Sequence, residues 1–223
     1  MNILTVAATI QEVEPFMKHC AMKQVEQHLW TGKIKQHNVN CLISGIGMVA
    51  TAYHLTTVIC KKDFQLIINA GIAGSFNENI VLGCVVNITS EQFADFGIDD
   101  NGIYRSVFEA NFMDRNTTPF SNGMLVNPVK HVFISHLPEV SGITVNTISG
   151  SEERIEKTKG KFNPDVENME GAAVFYVALQ QTIPFAEIRS VSNFVEPRNR
   201  NNWNISLAIE NLNSTLIGIF AEI

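Results

Sequence analysis

Short, nearly continuous apolar runs alternate in this chain with stretches of helical length, and this alternation restricts the fold more than any other feature. Residues 3–7 and 65–70 are apolar at almost every position, the pattern of strands covered on both faces. Further strands are expected at 29–36, 39–44, 84–89, 143–148 and 185–191, the first two of these joined by a turn at His37-Asn38. Helices are expected at 11–23, 48–61, 128–136, 170–181 and 205–220. Within 48–61, Val49, Ala52, Tyr53, Thr56 and Ile59 recur at helical spacing. Strands separated by helical crossovers predict an α/β fold: three layers, α/β/α, around a mixed, twisted central sheet. No repeat, low-complexity tract or linker interrupts the 223 residues, so one domain, 1–223, is expected. The polar stretch 97–127 reads as a long loop, and loops of that length tend to cover sites.

Composition removes several functions. Lys and Arg number 16 against 22 Asp and Glu, a net charge of −6 without a basic stripe, which argues against a nucleic-acid partner. No apolar run approaches the length of a membrane span. The N-terminus has no basic flank and reads as a first strand, not a signal peptide. Cys20, Cys41, Cys60 and Cys84 form no C-x-x-C pair, which points to reduced thiols and a cytoplasmic protein. His131 and His136, five apart, do not share a helix face, and no metal site is expected.

Two glycine turns carry the first chemical signal. Gly45-Ile-Gly47 lies between a strand and a helix, but Ala50 stands where a dinucleotide fingerprint has its third glycine. No acidic residue follows at the right distance, so this is read as a tight βα turn. Asn69-Ala-Gly71-Ile-Ala-Gly74 ends a buried strand, where small residues let a ligand approach the backbone at the carboxyl edge of a sheet. Glu12 in the first turns of a helix, Glu170 at the head of another and Asn193 at a strand end are expected to converge on that edge. Taken singly, each has an ordinary structural reading, as a dipole-opposing carboxylate or a turn residue.

In this order, Ala7-Ala-Thr-Ile-Gln-Glu12, Ser44-Gly-Ile-Gly47, Asn69-Ala-Gly-Ile-Ala-Gly74, Asn168-Met-Glu170 and Arg189-Ser-Val-Ser-Asn193 resemble the nucleoside phosphorylase and nucleosidase superfamily over essentially the whole chain. The tail Ser192-Asn-Phe-Val-Glu-Pro-Arg198-Asn-Arg200-Asn-Asn-Trp203 resembles most closely the futalosine hydrolases within it. The resemblance implies a nucleoside phosphorylase-like fold and hydrolysis of futalosine to hypoxanthine and dehypoxanthine futalosine, a step of menaquinone biosynthesis. It implies a small-molecule nucleoside substrate, a homodimer, and no cofactor or metal. Glu12 is implied as general base for water, Glu170 as the ribose-holding carboxylate with Met169 packed beside the sugar, and Arg189 as a substrate-binding residue, with orientation of Glu12 as its other role.

Asn193 stands where adenine-specific nucleosidases resembling this chain carry an aspartate that protonates N7. An amide cannot deliver a proton, but its N–H can donate to N7 and to a carbonyl at position 6, which favours a 6-oxopurine. Few basic residues lie near the expected site and Ile72 replaces a serine common in the family, so water is preferred to phosphate as acceptor. One of Arg198 and Arg200, which flank Asn199, is expected to bind the carboxylate on the 5′ side of futalosine, with Phe194 or Trp203 against the ring; the alternative is a surface loop whose arginines pair with Glu196 or solvent. Rival readings are a methylthioadenosine or adenosylhomocysteine nucleosidase, an inosine phosphorylase, and a nucleoside-binding sensor without turnover.

Overall fold

The computed structural model describes residues 1–223. The chain runs β1 (Asn2–Ala7), α1 (Ile10–His19), β2 (Lys23–Glu26), β3 (Leu29–Ile34), β4 (His37–Ile43), α2 (Met48–Ile59), β5 (Leu66–Ser75) and β6 (Val85–Phe93). It continues with β7 (Gly97–Asp100), β8 (Ile103–Ser106), β9 (Leu125–Val126), β10 (Glu139–Thr144), α3 (Glu152–Phe162), β11 (Val166–Asn168), α4 (Gly171–Gln180), β12 (Phe185–Phe194) and α5 (Ile205–Glu222). The central sheet has the order β11-β10-β6-β12-β5-β1-β4-β3-β2, with β9 on β6. It is mixed as expected: β4, β1, β5 and β12 run parallel, whereas β6 opposes β12. At one end β11 also pairs with β5, antiparallel, at Val166–Ser75 and Glu167–Gly74. That pairing curls the strands from β5 through β12, β6 and β10 to β11 into a closed loop.

Alternation along β1 explains the layers. Leu4 and Val6 face a core shared with Leu42, Leu55 and Phe175, on the side where α2 packs on α4. Ile3 and Ala7 face the other core, with Phe16, Leu212 and Phe220, where α1 packs on α5. The rings of Phe16 and Phe220 meet at 4.8 Å. Each fully buried side chain of this size contributes roughly 1.5–3 kcal/mol. No helix is long and apolar enough to cross a membrane.

Several local expectations need correction. The segment 128–136 is not a helix but a single 3₁₀ turn at Val132–Ile134. There the His131 ring and Asn127 Nδ2 both bond the Phe185 carbonyl, which holds the segment against the sheet instead. The strand expected at 143–148 lies at Glu139–Thr144, in register with β6. The loop 97–127 contains the β7–β8 hairpin, turned by Asn101 and Gly102 at φ 54° and 85°. The first helix ends at His19, not at residue 23, and the turn after β3 falls at Lys35, which has φ 50°. Residues 71–74 are not a turn: β5 runs on to Ser75, flanked by β12 and β11. Helix α3, not expected at all, buries only Ile155 and so carries no apolar stripe; Ser151 caps its start and left-handed Asn163 ends it.

Pro15, inside α1, removes one ladder hydrogen bond. The next is also replaced: Phe16 N donates to Asn213 Oδ1 at 2.9 Å, and Asn213 Nδ2 donates to the Glu12 carbonyl at 2.9 Å. A carboxamide from α5 is thus inserted into the turn of α1 that carries Glu12. Asn213→Leu leaves a buried N–H and a buried carbonyl unpaired and is expected to cost about 3 kcal/mol of stability. Denaturant unfolding checks this, and an unchanged midpoint would show that the inserted amide holds nothing.

Candidate active site

The carboxyl ends of β1, β5 and β12, with β11 and the start of α4, surround a cavity of about 370 Å³, within the range of small-ligand sites. Of the residues singled out in the sequence, Glu12, Gly74, Met169, Glu170, Asn193 and Arg198 line it. Arg189 does not: it is fully buried behind the wall and meets the site only through other side chains. A direct substrate contact for it is therefore replaced by a supporting one.

Glu12 stands on the first turn of α1, buried to 8% exposure. One oxygen, Oε2, accepts from Thr9 N and Thr9 Oγ1, both at 3.0 Å, while Oε1 accepts from Ile72 N at 3.2 Å. The backbone of residue 72 makes this contact, so the isoleucine side chain does not disturb it. The carboxylate is held from two sides at the cavity edge, a geometry suited to accepting a proton.

Glu170 lies at the N-terminus of α4, and its Oε1 accepts from Gly47 N at 3.0 Å. The tight turn after β4 thus donates a backbone N–H to the carboxylate. Arg189 Nη1 lies 3.7 Å from Glu170 Oε2, and its Nε donates to Glu187 Oε1 at 2.8 Å. The guanidinium passes directly beneath Gly71: a Cβ there would collide with Nη1 and lie 2.9 Å from Glu12 Oε1. A glycine is required at 71 because this space is filled by the arginine, which places one positive charge between the two site carboxylates.

Asn193 is paired across β5 with Gly74, and Gly74 with Glu167, so the three stand abreast on neighbouring strands. Asn193 Nδ2 donates to the Phe194 carbonyl at 2.9 Å, and Oδ1 accepts from Ser192 Oγ at 2.8 Å. A carbonyl only accepts, which fixes the nitrogen on that side. Glu167 lines the same cavity, its oxygens accepting from Ser149 N at 2.8 Å and Ser149 Oγ at 2.6 Å. Burial raises its carboxyl above the ordinary range. Sequence reading missed Glu167, whose only sequence mark is its place next to Asn168-Met-Glu170.

At the cavity mouth the Arg198 guanidinium lies 5.4 Å from the centre of the Trp203 ring, within cation–π range. Glu196 accepts from Asn202 Nδ2 and forms no ion pair with Arg198. Arg200 lies outside the cavity.

Fold and cavity together define an α/β protein with a small cavity at the carboxyl edge of its sheet, set between fixed carboxylates and a fixed amide. The family model described as "Phosphorylase superfamily" matches residues 2–220, and the chain belongs to that superfamily. It is 27% identical to a 5′-methylthioadenosine/S-adenosylhomocysteine nucleosidase of Haemophilus ducreyi over 88% of this chain and 86% of that one. It is also 27% identical to a futalosine hydrolase of Acidothermus cellulolyticus, over 77% of this chain and 70% of that one. The solved futalosine hydrolase of Helicobacter pylori superposes with a TM-score of 0.84 at 16% identity, covering 100% of this chain and 98% of that one; that likeness speaks to the fold.

Burial raises the Glu170 carboxyl above its ordinary range, and Arg189 and Gly47 N–H only partly offset this. A raised value keeps the proton to higher pH, so the accepting carboxylate is lost earlier on acidification. The acidic limb of kcat/KM is therefore expected above the ordinary glutamate range, with activity rising as pH increases through it. A limb at the usual position of an exposed glutamate would contradict this.

Proposed function

We propose that this protein hydrolyses the N-glycosidic bond of futalosine, releasing hypoxanthine and leaving dehypoxanthine futalosine. The broader class, a nucleoside N-glycosyl hydrolase, follows from its superfamily and from relatives bearing both names. The observation that carries the finer reading is the fixed amide of Asn193. With one N–H given to the Phe194 carbonyl, the other is free for the base. A 6-oxopurine offers that single donor two acceptors, N7 and O6, whereas adenine offers N7 alone and turns its amino donor toward it.

The reaction follows from the placement of the remaining groups. Glu12 takes a proton from water as the water oxygen bonds to the anomeric carbon. The carbon–nitrogen bond breaks with its electron pair going to the base, the developing anion is stabilised by the Asn193 N–H, and the base takes a proton from solvent as Glu12 gives its own up. Glu170 accepts ribose hydroxyls and Met169 packs against the sugar. Arg198 is the only basic residue lining the cavity, which supports water over phosphate as acceptor. That arginine, free of any carboxylate and lying beside Trp203, suits an aryl carboxylate on the 5′ side of the sugar.

This reading goes with a cytoplasmic enzyme of menaquinone biosynthesis that works as a homodimer. Val49 and Tyr53 on α2, exposed to 82% and 66%, with Ile46 at the cavity edge, form an apolar strip for such contact.

Base release in phosphate-free buffer from futalosine, inosine and methylthioadenosine, followed by chromatography, tests the proposal. Hypoxanthine from futalosine, unaffected by added phosphate, is expected. Adenine from methylthioadenosine alone would reverse the argument from Asn193, a phosphate requirement would make the enzyme a phosphorylase, and binding without release would make it a sensor. Asn193→Asp is expected to move base preference toward adenine, and an unchanged preference would remove the amide from base recognition. Arg198→Ala is expected to raise KM for futalosine about tenfold or more and to leave inosine almost unaffected. Equal losses on both substrates would disconnect Arg198 from the 5′ group.

A further inference from the structure

Behind the cavity wall two fully buried carboxylates face each other: Glu91 of β6 and Glu187 of β12. A Cβ on Gly171, the first residue of α4, would lie 2.5 Å from Oε1 of each and 2.7 Å from Glu187 Oε2. The two groups therefore share the space that this glycine leaves open.

Each reaches Glu170 by a separate route. Glu91 Oε1 accepts from Asn168 Nδ2 at 2.6 Å, and its Oε2 accepts from Thr144 Oγ1 at 2.8 Å. Asn168 Oδ1 in turn accepts from Glu170 N at 3.0 Å and Gly171 N at 2.6 Å, and Thr144 Oγ1 from Ala172 N at 2.7 Å. The first backbone donors of α4 are thus held by two side chains, both anchored on Glu91. Glu187 acts through Arg189, which it binds at Nε while Nη1 faces Glu170.

The charges do not balance if every carboxylate is ionised. Arg189 is the one cation in the cluster, and Glu187, Glu170 and Glu12 all act on it. From β10 and β11 only the neutral Thr144 and Asn168 face Glu91. Two adjacent anions in a dry interior around a shared guanidinium are strongly disfavoured. Meanwhile Glu187 Oε2 is buried with no hydrogen-bond partner.

We propose that Glu91 and Glu187 share a single proton, Glu91 being the neutral acid that donates to Glu187 Oε2, and that this pair positions Glu170 from behind. One proton then lowers the excess negative charge by one, at the pair where the two carboxyls crowd each other, and satisfies the orphaned oxygen. Burial, with Glu187 adding to it, pushes the Glu91 carboxyl well above the ordinary carboxylate range. The part concerning Glu170 rests on the reading of that residue as the ribose holder; the shared proton does not.

Infrared spectroscopy of the purified protein at neutral pH tests the proton directly, without substrate. A protonated-carboxyl C=O band is expected in the wild type and is expected to vanish in Glu91→Gln. Absence of the band, or its survival in that variant, overturns the proposal. Kinetics on whichever nucleoside the enzyme cleaves tests the positioning. Glu187→Gln, which removes the charge clamping Arg189, is expected to raise KM at least about tenfold more than Glu91→Gln, which keeps a neutral group in place. Equal effects overturn the assignment of the neutral partner. Should Glu187→Gln fail to fold, the infrared comparison decides alone. Failure to cleave any nucleoside would count against the proposed function and leave the infrared result standing.

Discussion

The arrangement of the site depends on one guanidinium that water does not reach. Arg189 is fully buried, and a charge in that position persists only with partners of opposite sign close by. Those partners come from three places far apart in sequence: Glu187 two positions before it, Glu170 at the head of α4, and Glu12 on α1. The demand to neutralise one cation therefore draws the first turn of the first helix and the start of the fourth to the same point beneath Gly71. Side chains that line the cavity are fixed by one that does not.

Much of the frame was legible because it repeats. The buried runs of β1 and β5 state their type within a few residues; the spacing on α2 gives its helix but not its buried face, which is Thr51, Leu55 and Val58, whereas Val49 and Tyr53 are exposed. Helix α3 was not, because it packs by one residue and otherwise shows solvent a charged surface, leaving only its caps as a signal. The β7–β8 hairpin had such a signal in Asn101-Gly102, which favours a tight turn between strands. The proline at 128 reads as a helix start, but the neighbouring His131 and Asn127 are committed to the Phe185 carbonyl.

The site divides in the same way. Glu12, Glu170 and Asn193 were legible as polar residues at the ends of elements, where an α/β sheet presents its ligand site. Glu167, Glu91 and Glu187 were not, because their roles arise from registers: β11 laid against β5, and β6 laid against β12 and β10. Nothing local distinguishes a buried strand carboxylate from one on a solvated face. Arg189 was placed in the right neighbourhood but on the wrong side of the wall, since a motif gives proximity and not depth.

The amide of Asn213 gives the molecule a particular history. Its bond to the Glu12 carbonyl spans 201 positions of sequence, about as nonlocal as a contact in a chain of this length can be. During synthesis the turn bearing Glu12 emerges near the beginning and the residue that repairs it near the end. Until α5 emerges, the nascent chain therefore holds its cavity carboxylate in an unfinished helix. Its support arrives only when α5 docks, and the same helix brings Ile205 and Ile209 to the cavity wall, so one docking event finishes both the turn and the pocket.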